Sequence, residues 1–149
     1  MSTALKQRLG DDVKAAMRAG EKVRLGTLRL IQAAIKQREV DQRIVLDDTG
    51  IIDALDKMAK QRRESIEQFA MAGRQDLVDK EAAELALIVS YLPEALGEDE
   101  LKALIDKAIA ETNAVSVKDL GRLMAVLKPQ VQGRCDLAQV SSQLKQRLS

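Results

Sequence analysis

Histidine and tryptophan are absent from this 149-residue chain, and phenylalanine, tyrosine and cysteine occur once each, as Phe69, Tyr91 and Cys135. The missing histidine removes the commonest general base and the commonest metal ligand together, so neither a metal nor a cofactor is expected. One cysteine closes no intrachain disulfide, no CxxC redox pair and no thiolate cluster, and it suits a reducing, cytoplasmic setting. Two aromatic rings do not build the stacking platforms that hold single-stranded nucleic acids. The eight glycines are all isolated, which excludes a GxGxxG turn or a P-loop cradle for nucleotides. The opening MSTALKQRLGDD has no apolar h-region and no small-residue cleavage site, so no secretory signal is expected. No apolar run approaches the ~18 residues of a membrane span.

What is present is a soluble globular balance, 46% hydrophobic and 32% charged. The apolar period is helical nearly throughout. Leu5, Leu9, Val13 and Ala16 share one face of a first helix, and Gly20 interrupts it. Leu28, Ile31 and Ile35 mark a second. Asp47-Asp48-Thr49-Gly50 reads as turn and cap chemistry, after which Ile52, Leu55, Ala59, Ile66 and Phe69 form the stripe of a third helix that Gly73 stops. Val78, Leu85, Ile88, Val89 and Leu92 define a fourth, running to Pro93. Beyond it, Gly97 precedes Leu101, Ile105 and Ala108. Ser116-Val117-Lys118-Asp119 reads as a capping box ahead of Leu120, Met124 and Leu127, with Pro129 expected to end that helix. Asp136 is placed to cap a last helix carrying Leu137, Val140, Leu144 and Leu148. The fold class expected is all-α: an N-terminal domain of about four helices over 1–93, then a small three-helix C-terminal domain over 94–149.

Net charge is only +1, but it is unevenly spread. Residues 1–43 hold ten Lys/Arg against five Asp/Glu, and 118–149 hold six against two. Between them, 47–93 hold six against ten and 94–117 two against six. No chain-wide basic surplus argues for bulk coating of nucleic acid. Without histidine a serine nucleophile has only a lysine to activate it. The acidic pairs Asp11-Asp12, Asp47-Asp48 and Glu98-Asp99-Glu100 sit at helix starts, where they offset the macrodipole. No catalytic residue is assigned. Cys135 lies beside Arg134 ahead of a helix, a setting that lowers a thiol pKa, but it lacks a base.

Three groups of charged residues stand out. Arg62 falls in the middle of an apolar stripe, as does Glu81, with Glu84 at its edge. An antiparallel hairpin about Gly73 would let them pair, the economical way to place charge on an apolar face. Lys22, Arg29, Lys36 and Arg43 recur every seven residues along one slowly drifting line of the second helix. Lys118, Arg122, Lys128 and Arg134 flank Gly121 and Gly133. There the free amides of a following helix would meet a phosphate, although Asp136 as N-cap competes for them.

LRLIQAAIKQREVD (28–41), KQRRESIEQFAMAGRQDLVDKEAAELALIVSYLP (60–93) and KDLGRLMAVLKPQVQGRCDLAQVSSQLKQRL (118–148) resemble the YqeY-like proteins. These are small free-standing relatives of the C-terminal region of GatB, a subunit of glutamine-dependent tRNA amidotransferase. The resemblance covers nearly the whole chain. It implies an all-helical module related to a tail that contacts tRNA. Gly121 with Met124, then Gly133, then the Val140–Leu148 helix look like the tail's pattern, while Cys135 and Pro129 depart from it. Carbon–nitrogen ligation with glutamine as amide donor belongs to a separate catalytic domain that has no counterpart in these residues.

The expected function is therefore a non-catalytic helical module binding tRNA or a tRNA-handling enzyme. Lys118, Arg122, Lys128 and Arg134 would be its first contact and the Lys22-to-Arg43 line its second. The alternatives are a protein-interaction adaptor without RNA contact and an accessory amidotransferase subunit active only inside a complex. No membrane partner is expected.

Overall fold

The computed structural model describes residues 4–149. Among them are seven α-helices, one 3₁₀ turn and no strand, so the chain is all-α. It divides by contact into two compact units, Met1–Leu92 and Pro93–Ser149.

The first unit contains α1 (Ala4–Ala19), α2 (Lys22–Gln42), α3 (Asp48–Met71) and α4 (Gln75–Val89). Gly20 and Gly73 end α1 and α3 with φ of +69° and +70°, a left-handed backbone that glycine adopts without a Cβ clash. Asp47 caps α3 by accepting from the Gly50 amide at 2.9 Å, which answers one of the helix's orphan donors. Leu9, Leu28, Ile31, Ile51, Leu55 and Ile88 fill the core and are almost wholly withdrawn from water. Each contributes roughly 1.5–3 kcal/mol of burial.

Two details differ from the periodic reading. The buried face of α3 runs through Ile51, Leu55, Met58 and Ala59 rather than Ile52, and Ile66 and Phe69 are only half-buried. Every buried residue of α3 lies in its first half, because its second half packs chiefly on α4, and two helices alone do not enclose a side chain. At the other end, α4 stops at Val89, which is exposed, before Pro93 is reached. Turn bonds from Tyr91 N to Ile88 O and from Leu92 N to Val89 O take over, in keeping with the resistance of a pre-proline residue to helical backbone.

That turn is anchored on α1. Tyr91 is buried, and its hydroxyl donates to the Asp12 carboxylate. The Arg8 guanidinium lies 4.3 Å from the Tyr91 ring centroid and donates to Ser90 O at 3.1 Å. Burial first, and the bond to the Asp12 carboxylate second, hold the Tyr91 hydroxyl protonated well above the usual tyrosine range. The unfolded chain ionises at the ordinary value, about 10. This contribution to stability is therefore intact below that pH and is lost as pH rises past it. Tyr91 is the sole tyrosine, so tyrosinate absorbance reads it directly. The titration should be displaced upward and should move back toward the ordinary range in Asp12→Asn. An undisplaced wild-type titration would mean the anchor does not form in solution.

The second unit contains α5 (Glu98–Thr112), a 3₁₀ turn (Val117–Asp119), α6 (Leu120–Val131) and α7 (Leu137–Leu148). Leu101, Ile105, Leu123, Leu127, Val140 and Leu144 make its core. Leu120 and Met124 of the expected α6 stripe are half-buried, and Leu123 lies deeper. The expectation that Pro129 ends α6 is corrected: it lies inside the helix, which continues to Val131. Proline removes one backbone donor, but Pro129 is exposed and within the last turn. The helix end is closed instead by Gln132 N to Lys128 O and by Arg134 N to Val131 O, both 2.9 Å. Gly133, buried with φ +76°, then turns the chain toward α7.

Candidate functional site

The C-terminal cations occupy different settings. Lys118 sits exposed in the 3₁₀ turn and Lys128 exposed near the end of α6. Neither makes an ion pair among the described residues. Arg122, also exposed, donates to Asp119 Oδ1 at 3.0 Å. Asp119 is itself held below the usual carboxylate range, first by the amides of Val115 and Ser116 and then by Arg122. This carboxylate reaching back to the Ser116 amide completes the capping box. Arg122 and Lys128 are six residues apart on one helix, so they point about 120° apart and do not share a face.

Arg134 is turned to structural use. Its Nε donates to Glu94 O at 2.9 Å, and its guanidinium lies 3.5 Å from Glu100 Oε2. Leu96 N donates to Arg134 O at 2.9 Å. Together these tie the 94–97 segment to the turn before α7. Asp136 accepts from the Ala138 amide at 3.0 Å, so the helix start after Gly133 already has an acceptor. Gly121 is exposed in the first turn of α6, and a Cβ there would meet nothing within 4 Å. Close approach within this unit therefore does not explain that glycine. Cys135 is half-buried against the core, its thiol facing Val131 O at 3.9 Å.

On α2, Lys22, Arg29 and Lys36 are exposed. The expected fourth member, Arg43, lies beyond the helix as its left-handed cap, φ 55°, with its amide donating to Val40 O. The line on the helix therefore has three members, because the chain turns before the fourth repeat is reached.

The α3–α4 hairpin brings Arg62, Glu81 and Glu84 together. Arg62 Nε lies 2.8 Å from Glu84 Oε2 and 3.3 Å from Glu81 Oε2, all three half-buried. The triad joins α3 to α4 across the hairpin.

Other pairings had no visible signal in the sequence. Arg38 Nη1 lies 2.6 Å from Asp53 Oδ2, which Lys57 approaches at 3.3 Å. Although burial opposes its charge, these cations hold Asp53 below the usual carboxylate range. Lys6 bonds Glu39, which also accepts from Leu46 N at 2.8 Å and is kept below its ordinary range by the Lys6 bond first and that amide second. Arg147 pairs with Asp106. Apart from the i,i+4 pair of Lys57 with Asp53, each joins residues far apart in the chain, which no local spacing encodes.

An open groove of about 610 Å³ lies between the start of α2 and the end of α4, lined by Lys22, Val23, Arg24, Thr27, Ala86 and Leu87 among others. Among the described residues there is no group of three or more side chains able to hold a metal ion. No helix is long and apolar enough to cross a membrane.

The chain is similar to a protein from Pyrenophora tritici-repentis named "Altered inheritance of mitochondria protein 41, mitochondrial", at 32% identity over 93% of this chain and 78% of that one. It is 42% identical to the protein of that name from Eremothecium gossypii, over 69% of this chain and 58% of the relative's length. The Saccharomyces cerevisiae protein is 31% identical over 79% and 69%. Neither this name nor the family description states a catalytic activity. The cytoplasmic expectation is corrected by these relatives, whose names place them in mitochondria. A single cysteine excludes an intrachain disulfide and does not separate the cytosol from other compartments. The helical segments that carried the resemblance at the outset lie within a family model described as "Yqey-like protein" that matches residues 6–148, and the chain belongs to that family.

Proposed function

We propose that the chain is a non-catalytic helical module that binds tRNA or a tRNA-handling enzyme. The 94–149 domain makes the contact and the 1–93 domain positions it. The observation that carries this reading is the exposed basic charge of the last third: Lys118 and Lys128 stand exposed without an ion pair among the described residues, and Arg122 is exposed on a different face of α6 from Lys128. They lie on a unit whose own core is closed. The likeness to the GatB tail supports the choice of tRNA, a folded RNA read by backbone and shape without aromatic stacking. Arg134 enters as a structural tie rather than a contact, which leaves Lys118, Arg122 and Lys128. With so few cations, affinity is modest and salt-sensitive.

Titration of a fluorescent tRNA pool across several salt concentrations tests this. Affinity should fall steadily with salt, and Lys118→Glu with Arg122→Glu should weaken it at least tenfold. Absence of binding at low salt would overturn the RNA reading. Glutamine-dependent amidation that appears only on adding partner subunits would overturn it in favour of an accessory subunit.

A further inference from the structure

We infer that the outward face of α2 is a docking surface for an amphipathic helix of a partner protein, one whose apolar stripe is bordered by acidic residues. A surface helix ordinarily turns polar residues to solvent. α2 does not. Its inward face is Leu28, Ile31 and Ile35, all buried. About 160° around the helix, at ~100° per residue, Val23, Gly26, Leu30 and Ala33 form a second apolar stripe, which Gln37 interrupts before Val40 resumes it. Every one of them is exposed: Val23 by 78%, Leu30 by 46% and Val40 by 60%. Scattered surface apolar residues need no explanation. An unbroken run from Val23 to Ala33, about three turns and roughly 15 Å, does.

The spacing and size of these residues select a helical partner. Gly26 and Ala33 flank Leu30, so a second helix can approach to the ~8–10 Å of ordinary packing with Leu30 as the central knob. The stripe begins at Val23, which also lines the 610 Å³ groove with Ala86 and Leu87, so the groove offers a seat for one end of the incoming helix.

Charge identifies the partner's chemistry. Lys22, Arg29 and Lys36 run along one edge of the stripe, so a partner bordered by acids is attracted while a basic one is repelled. A second copy of this chain is disfavoured on the same ground. Antiparallel pairing that sets Leu30 against the other copy's Ala33 brings the two basic edges together, with Arg29 only ~3 Å along the axis from Lys36 of that copy. RNA phosphates would use the three cations but would gain nothing from Leu30 or Val23.

The test uses the full chain and a fluorescein-labelled 18-residue peptide carrying leucines at helical spacing and glutamates on its flanks, beside a counterpart with lysines in place of the glutamates. The acidic peptide should bind at least tenfold more tightly than the basic one. Leu30→Gln and Arg29→Glu/Lys36→Glu should each weaken it at least tenfold, whereas Lys118→Glu/Arg122→Glu should leave it unchanged. Leu30 is a surface residue, so Leu30→Gln should keep the helical circular dichroism and melting temperature, and Ala33→Gln provides a second probe of the same contact. Equal binding of the two peptides, or indifference to both Leu30→Gln and Ala33→Gln, would overturn the proposal. So would a dimer seen in sedimentation that Leu30→Gln dissolves, or tRNA binding that needs Arg29 and Lys36 but not Leu30.

Discussion

Leu127→Ala should unfold the Pro93–Ser149 unit under conditions in which the helices α1 to α3 keep their structure. Leu127 is fully buried among Leu101, Ile105, Leu123 and Leu144. Removing its isobutyl group forfeits the transfer energy and leaves a cavity, together about 2–5 kcal/mol. A unit of this size is held by only about 3–9 kcal/mol at ~0.05–0.15 kcal/mol per residue, so one such change consumes much or all of it. Hydrogen exchange followed by mass spectrometry separates the two units. Protection should be lost across α5, α6 and α7 and retained in the buried helices of the first unit. Leu55→Ala should do the reverse. Equal loss of protection throughout would show that the two units unfold as one.

Arg62→Met should destabilise the first unit by about 1–3 kcal/mol, read as a lower urea midpoint. The cost comes less from the lost attraction than from what remains, since Glu81 and Glu84 would then face each other, half-buried, with the intervening cation gone. Orphaned charge is the expensive outcome at such sites, while an apolar replacement of the whole group is near neutral. Because the triad keeps some contact with water, the effect falls below that of a fully buried pair. Adding Glu81→Gln and Glu84→Met to Arg62→Met should therefore restore most of the loss. A triple variant as unstable as the single one would show that the arginine's aliphatic stem, rather than its charge, carries the packing.

Much of the fold was legible because helix signals are local. The all-α class, the caps at Asp47, Asp119 and Asp136, and the stops at Gly20 and Gly73 each depend on residues within one turn of each other. The misreadings also have local causes. Ile51 and Ile52 are neighbours with equal claim to a core stripe, and only the position of the other helices makes Ile51 the buried one. Pro129 reads as a terminator by its own chemistry, yet it is tolerated in a last turn whose outer face is open to water.

The candidate basic surfaces divide in the same way. Which residues are cationic, and that they recur every seven positions along α2, was plain from the chain. That Arg134 turns inward to Glu94 and Glu100, that Arg43 lies past the helix end, and that Arg122 and Lys128 diverge was not.

By itself the sequence determined the helices, their order and the chemistry this chain lacks, because backbone hydrogen bonds and apolar periodicity act over three or four residues. Only the tertiary structure decided which charges are tied up and which apolar face of α2 is left open, because both depend on what segments far along the chain bring against that surface.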